Sequence, residues 1–350
     1  MKIAFLQGES GGKAAGFEEW YQGRGWKELS IYMTDRNEAT EFQPKLHPGK
    51  KGRFAAHWAK YGTGYLFLAP FIILFTIFVI VPFFVSLGLS FTYYNMLEPP
   101  EWIGLNNYKL LFLEDDVFLI GVKNTLIFAF ITGPIGYFAS FFAAWAINEL
   151  KTRKFLSLAF YAPSITSSVA VSVIWLYIFS PDRYGLINNL LIKLGFLTAT
   201  EPILWTSNPK TIMPVIMVVS IWMSMGTGFL VFLAGLQNMP GELYDAANMD
   251  GVKNVFQKLW YITLPMMKPQ LLFGAVNSIV NSFNVFAVAT TIAGFPSPNY
   301  AGHTIVAHLY DYAFIRFEMG YASTIAVFLF VLTFLLGRIC MKVFSSKDTY

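Results

Sequence analysis

The amino-acid sequence predicts an all-α, polytopic membrane protein with six transmembrane helices and both termini on the cytoplasmic side. Three observations carry that prediction. Only 13% of the 350 residues are charged, against 55% apolar and 18% aromatic, roughly half the charged fraction of an ordinary soluble domain. The charges sit in short islands between six long stretches that contain no Asp, Glu, Lys, Arg or His. Lys and Arg are also shared very unequally between the connections.

The six uncharged stretches are 65–94, 124–148, 155–180, 211–241, 269–294 and 320–337. A helix crosses the hydrocarbon core with about 17 to 25 residues, and all six reach that length. Continuous apolarity selects helices over a barrel, whose strands would alternate apolar and polar residues. Pro70, Pro82, Pro134, Pro163, Pro214 and Pro269 fall inside these stretches. Packed membrane helices tolerate such residues as kinks.

Counting Lys and Arg gives the orientation. Nineteen precede the first stretch or lie in the second-to-third connection, the fourth-to-fifth connection and the tail; the other side holds six. The domain reading is a basic cytoplasmic tail at 1–62 followed by a transmembrane domain at 63–348. The tail has no apolar core of the kind a signal peptide needs, and its basic end from His47 to Arg53 suits anionic lipid headgroups. The one cysteine, Cys340, allows no intrachain disulfide. The net charge of +4 is modest and suggests no nucleic-acid partner.

Active transport needs an energy source, and the chain offers none of its own. Gly8 to Ala14 superficially matches a phosphate loop, but Gln7 stands where that loop needs its first glycine and Ala14 where it needs Ser or Thr. Ion-coupled carriers bury an ionisable residue in the bilayer, and none of the six stretches holds one. His303 and His308, five apart beyond the fifth stretch, read as loop residues rather than a metal pair. No paired carboxylates, nucleophile–base set or metal cluster points to catalysis, and no cofactor is expected.

The cytoplasmic connection at about 238–268 is too polar to span and too patterned for a linker. Pro240 and Glu242 suit a helix start, Ala246 and Ala247 leave room for another surface, and Gly251 suits a helix stop. A short helix, a turn and a second short helix are expected. In the fifth stretch Asn277, Asn281 and Asn284 share one helical face at i, i+4 and i+7. Amides in hydrocarbon must face protein or water. They suit sugar hydroxyls and equally suit bonds between helices. Phe283 and Phe286 lie beside them.

The spacing of Asp245-Ala246-Ala247, Gly251 and Leu264-Pro265 resembles the coupling-loop signature of permease subunits in binding-protein-dependent ABC importers. Tyr161 to Ser164, Phe179 to Asn188 and Ala234 to Pro240 extend the resemblance to the maltose/oligosaccharide branch, over about 60–348. Asp245 departs from the glutamate commonest there. The resemblance implies a type I importer permease fold in the cell membrane. The partners it implies are a second homologous permease, two ATP-binding-cassette ATPase subunits and an extracytoplasmic sugar-binding protein.

Glu242, Asp245, Ala246, Ala247, Gly251, Leu264 and Pro265 would then couple to the ATPase. The three asparagines, with Ser164, Ser168, Ser224 and Thr227, would line a sugar path. The outer connection with Trp102, Tyr108 and Glu114 to Asp116 would meet the binding protein. The alternative within transport is an importer of glycerol phosphate or another small polar solute, although a phosphate would call for buried Arg or Lys.

Overall fold

A computed structural model describes residues 50–150 and 152–344. Most of the expected basic tail, with the Gly8 to Ala14 segment, therefore lies outside the described residues. The first helix, α1 (Lys50–Phe75), belongs to a unit of its own. It starts twelve residues inside the stretch read as tail (50 against 62), because Ala55, Ala56 and Ala59 favour helix there.

The second unit opens with a π-helical turn at Thr76–Ile80 and α2 (Val81–Leu89). A two-residue ladder follows, β1 (Thr92–Tyr93) against β2 (Glu101–Trp102), with Thr92 opposite Trp102. Then come α3 (Asn106–Leu113), α4 (Asp116–Asn148), α5 (Arg153–Ile165), α6 (Ser168–Ile178) and α7 (Leu186–Lys193). The long α8 (Pro209–Gln237) leads to α9 (Gly241–Met249), α10 (Val255–Lys258) and α11 (Leu264–Met266). The chain finishes with α12 (Lys268–Phe283), α13 (Ala287–Ala293), α14 (Ile305–Tyr310) and α15 (Met319–Phe344).

Four stretches are long and apolar enough to cross a bilayer: Tyr61–Leu89, Asp116–Asn148, Pro209–Gln237 and Met319–Val343. Two bent pairs bring the number up to six, α5 with α6 at 99° and α12 with α13 at 40°. The sequence predicts one spanning helix at 155–180 with a proline kink, and the structure breaks that run after Ile165 instead. Thr166 and Ser167 take extended backbone with ψ of 146° and 128°. Ser and Thr hydroxyls compete for backbone groups, and Thr166 bonds back to the Ala162 carbonyl at 2.9 Å. Each half is too short to span alone, since thirteen helical residues reach about 20 Å.

The prolines behave as their positions dictate. Pro269 occupies a first helical turn, where a missing N–H breaks no bond, and Pro82 follows closely on the π-helical turn inside Tyr61–Leu89. Pro70, Pro134, Pro163 and Pro214 lie further inside helices.

The α4–α8 pair is the spine of the second unit. Gly136 faces Ser224 and Gly228 faces Ser140, and a methyl group at either glycine would meet that hydroxyl. Small residues bring the backbones together in this way. At the Asn148 end, Phe141, Ala144, Phe229, Phe232 and Met267 form one apolar core. At the Asp116 end Leu111, Phe118, Phe283, Ile305 and Ile325 form another. Outward faces are apolar, and in the apolar window of Tyr61–Leu89 no residue is buried, as a lipid solvent permits.

Candidate functional site

Between these cores α4, α5, α6, α8, α12 and the α12–α13 break enclose a cavity of about 430 Å³. It is lined by six of the seven residues that the sequence nominated for a substrate path: Asn277, Asn281, Asn284, Ser164, Ser168 and Ser224. The side chain of Thr227 lies outside the described residues. The lining contains hydroxyls, amides, aromatics and small residues, and among the described residues no charged or histidine side chain.

The three asparagines are not equivalent. Asn284 ends α12, with φ of −98°, and its amide donates to the Val280 carbonyl at 2.8 Å. It secures the break that tilts α13. The side chains of Asn277 and Asn281, one turn apart, make no hydrogen bond among the described residues, so their amides are open to the cavity.

The hydroxyls are partly engaged. Ser164 donates to the Tyr161 carbonyl and Ser224 to the Ile221 carbonyl, both at 2.8 Å. Their oxygens still have lone pairs for a ligand. The sequence reading missed Thr132, Ser140, Ser220, Ser278 and Ser282 on the same wall. A readable signal existed. Thr132, Gly136 and Ser140 recur every fourth residue, as do Ser220, Ser224 and Gly228. The Ser220 hydroxyl oxygen is buried and unpaired among the described residues, although the residue is only partly buried.

The predicted coupling segment forms a short helix, a turn and further short helical pieces. α9 starts after Pro240, with Glu242 in its first turn. It closes with the Val252 N–H on the Ala247 carbonyl at 2.9 Å and the Gly251 N–H on the Asn248 carbonyl at 3.3 Å. Gly251 sits at φ +88°, the left-handed conformation this cap requires. Asn254 and Gln257 form a capping box at α10.

Tyr244 reaches Thr263 at 3.0 Å and ties α9 to the chain entering α12. Glu242, Asp245, Ala246 and Gly251 are exposed, as is Pro265 in α11. Ala247 is turned inward, and Leu264 packs against the core at the Asn148 end. The sequence reading offered both alanines to another surface, and the structure leaves only Ala246 free.

Two other expectations need correction. His303 does lie in a loop but is only 3% exposed, and His308, at 1%, lies in α14 rather than in a loop. His308 Nε2 is 2.9 Å from Asp115 Oδ2, and its Nδ1 is 3.1 Å from His303 Nε2. The Tyr321 hydroxyl donates to the same carboxylate oxygen at 2.7 Å. Burial raises the Asp115 pKa, but hydrogen bonds from His308, the Phe118 N–H and Tyr321 outweigh it and hold the carboxyl well below 3.8. Burial, reinforced by His308, pushes His303 down to about 4. Asp115 is thus committed to the interior and leaves the outer connection's face to Glu114, Asp116 and the exposed Trp102.

The motif from Phe179 to Asn188 also has an internal role. Asn188 is fully buried. Its amide donates to the carbonyls of Ser180, Asp182 and Ile203 and accepts from the Ile203 N–H and Trp205 Nε1.

Residues 133–347 match the family model described as binding-protein-dependent transport system inner membrane component. The chain belongs to that family. It is 36% identical over 285 residues to the probable ABC transporter permease protein YesP of Bacillus subtilis (strain 168), covering 81% of this chain and 90% of YesP. It is 32% identical over 310 residues to the arabinooligosaccharides transport system permease protein AraP of the same organism, covering 86% and 96%. Among solved structures, a chain of a bacterial ABC transporter involved in the import of the acidic polysaccharide alginate overlays with a TM-score of 0.71. That overlay has 24% identity and covers 84% of this permease and all of that chain. The fold is that of an ABC importer permease, a multi-pass membrane subunit.

Proposed function

We propose that this permease forms half of the pathway of an ATP-driven importer for a neutral sugar, an oligosaccharide in particular. The cavity is the observation that carries the reading. A chamber of this size falls in the range of small-ligand sites, and its wall presents hydroxyls and open amides with no ion. Sugar hydroxyls donate and accept, and Asn277 and Asn281 can answer both. A phosphate-bearing solute would leave its charge uncompensated against this wall, which disfavours the glycerol phosphate alternative. The name of the AraP relative supports the same substrate class.

In this reading the two bent pairs each make one span, for six in all, and the Lys and Arg asymmetry puts both termini in the cytoplasm of a cell-membrane protein. A second homologous permease completes the chamber, one of two ATPase subunits grips the exposed face of α9 through Glu242, Asp245 and Ala246, and a sugar-binding protein delivers substrate. ATP-driven closure would push α9 and swing α12 through the Tyr244–Thr263 tie. The test is uptake by the whole importer in proteoliposomes, supplied with radiolabelled arabinotriose, maltotriose, lactose or glycerol 3-phosphate. ATP-dependent uptake of a neutral sugar supports the reading; uptake of glycerol 3-phosphate alone overturns it.

A further inference from the structure

An aromatic row leaves the cavity from the point where the asparagines end. Phe286 lines the cavity beside Asn284. Its ring centroid lies 4.8 Å from that of Tyr310, and Tyr310 lies 5.1 Å from Phe314. Tyr310 and Phe314 are 38% and 57% exposed. They belong to the segment Ile305–Ile315, where a π-helical turn covers Asp311–Ile315. That segment packs on the Asp116 end of α4, where the Ile305 N–H bonds Thr125 at 3.0 Å. The row therefore runs from the cavity toward that end of the protein.

The row sits among charges. Arg316 pairs with Asp311 at 2.7 Å and covers the Tyr312 ring at 4.3 Å, and Glu318 follows two residues on. An ion pair with a half-exposed guanidinium marks water or headgroup surroundings rather than hydrocarbon. Exposed aromatic faces in water, continuous with a polar chamber, call for an occupant with both apolar faces and hydroxyl edges. A sugar ring has that chemistry.

We propose that Phe286, Tyr310 and Phe314 form a stacking track for successive rings of a neutral oligosaccharide entering the chamber, with the Asp311–Arg316 pair addressing hydroxyl edges. This rests on the sugar reading above and extends it to an entry subsite outside the chamber. An entry track gives longer sugars an added hold, so its loss should weaken a trisaccharide more than a single sugar.

The experiment starts from the assembled importer with Cys340→Ser, which removes the one native thiol. Tyr310→Cys and Phe314→Cys are labelled with a charged, membrane-impermeant thiosulfonate. Labelling of both, slowed about fivefold or more by whichever panel sugar the importer takes up, supports the track. Labelling only by an apolar maleimide places the row in lipid and overturns it, as does protection that sugar leaves unchanged, the signature of cover by the second permease.

Independently, Tyr310→Ala and Phe314→Ala should each raise KM for the trisaccharide about fivefold, with arabinose uptake changed less and Phe314→Trp restoring the parent value. Unchanged KM with normal import sinks the track alone. Failure of the unmodified importer to take up any neutral sugar sinks the track and the sugar reading together.

Discussion

Asn188 and the Asn277–Asn281 pair carry the same side chain under opposite conditions. Asn188 is fully buried and uses its amide on five partners spread from Ser180 to Trp205. Asn277 and Asn281 are partly to largely exposed in a cavity and use none among the described residues. The same contrast separates two regions. Around Asp115 the carboxylate contacts are made inside the chain, by His308, Tyr321, Tyr312 and the Phe118 N–H. Around the cavity, polar groups are left with capacity to spare. An amide whose capacity is exhausted internally holds the fold, and one left open in a membrane-depth chamber is available to a passing solute.

The largest effect expected from this contrast is on stability. Asn188→Leu orphans the Ile203 N–H and Trp205 Nε1 and takes one partner from the Ser180 carbonyl, while the Asp182 and Ile203 carbonyls keep the Gly185 and Trp205 N–H groups, at a cost of about 4 kcal/mol. Thermal unfolding of the detergent-purified protein should show the drop. A midpoint equal to the parent's would mean that this hub is not structural.

The reverse outcome belongs to the cavity. Replacing Asn277, Asn281 and Asn284 together by leucine should lower sugar uptake about a hundredfold while the importer still assembles. Most of any stability change should trace to Asn284, whose bond to Val280 it removes. Normal uptake with unchanged selectivity would make the stripe a packing feature.

Next in size is a pH effect at the charged end. His303 is held neutral in the fold down to about 4, while in the unfolded chain it titrates near 6.5. As pH falls from 6.5 toward 4, the unfolded state binds a proton that the native state refuses, so stability declines across that window. The expected loss is about 2 to 3 kcal/mol. Asp115 adds nothing there, because its depressed pKa keeps it ionised until well below 3.8. Unfolding followed between pH 7 and pH 4 should lose most of this slope in His303→Gln, and a slope that survives would assign it elsewhere.

What the sequence made legible follows the same division. Hydropathy is local, so the runs at 124–148, 211–241 and 320–337 stand out and become α4, α8 and α15. Turn chemistry is local too, and Gly251 advertised the end of α9. The break at Thr166 and Ser167 stayed hidden because hydroxyl residues barely dent an apolar average. The Asp115–His308 contact joins residues 193 positions apart, a distance at which spacing rules say nothing. Six of the 22 residues on the cavity wall were readable as four-residue recurrences of small residues in α4 and α8; which way those stripes faced required the packing.

The smallest expected effect tests whether the cytoplasmic segment belongs with the exhausted groups or the open ones. α9 has both kinds. Ala247 and Tyr244 are spent on the interior, while Glu242, Asp245 and Ala246 face outward. Gly251 stands between them, at φ +88° with open space where a side chain would begin. Gly251→Asp therefore meets no steric clash within this chain and costs about 1 kcal/mol for the left-handed backbone, too little to prevent insertion. It does put a carboxylate on the surface proposed to enter the ATPase. Full-length protein should accumulate in the membrane while sugar uptake falls severalfold and ATP hydrolysis continues without it. If uptake and hydrolysis stayed locked at the parent ratio, α9 would be a surface helix whose exposed face answers to nothing.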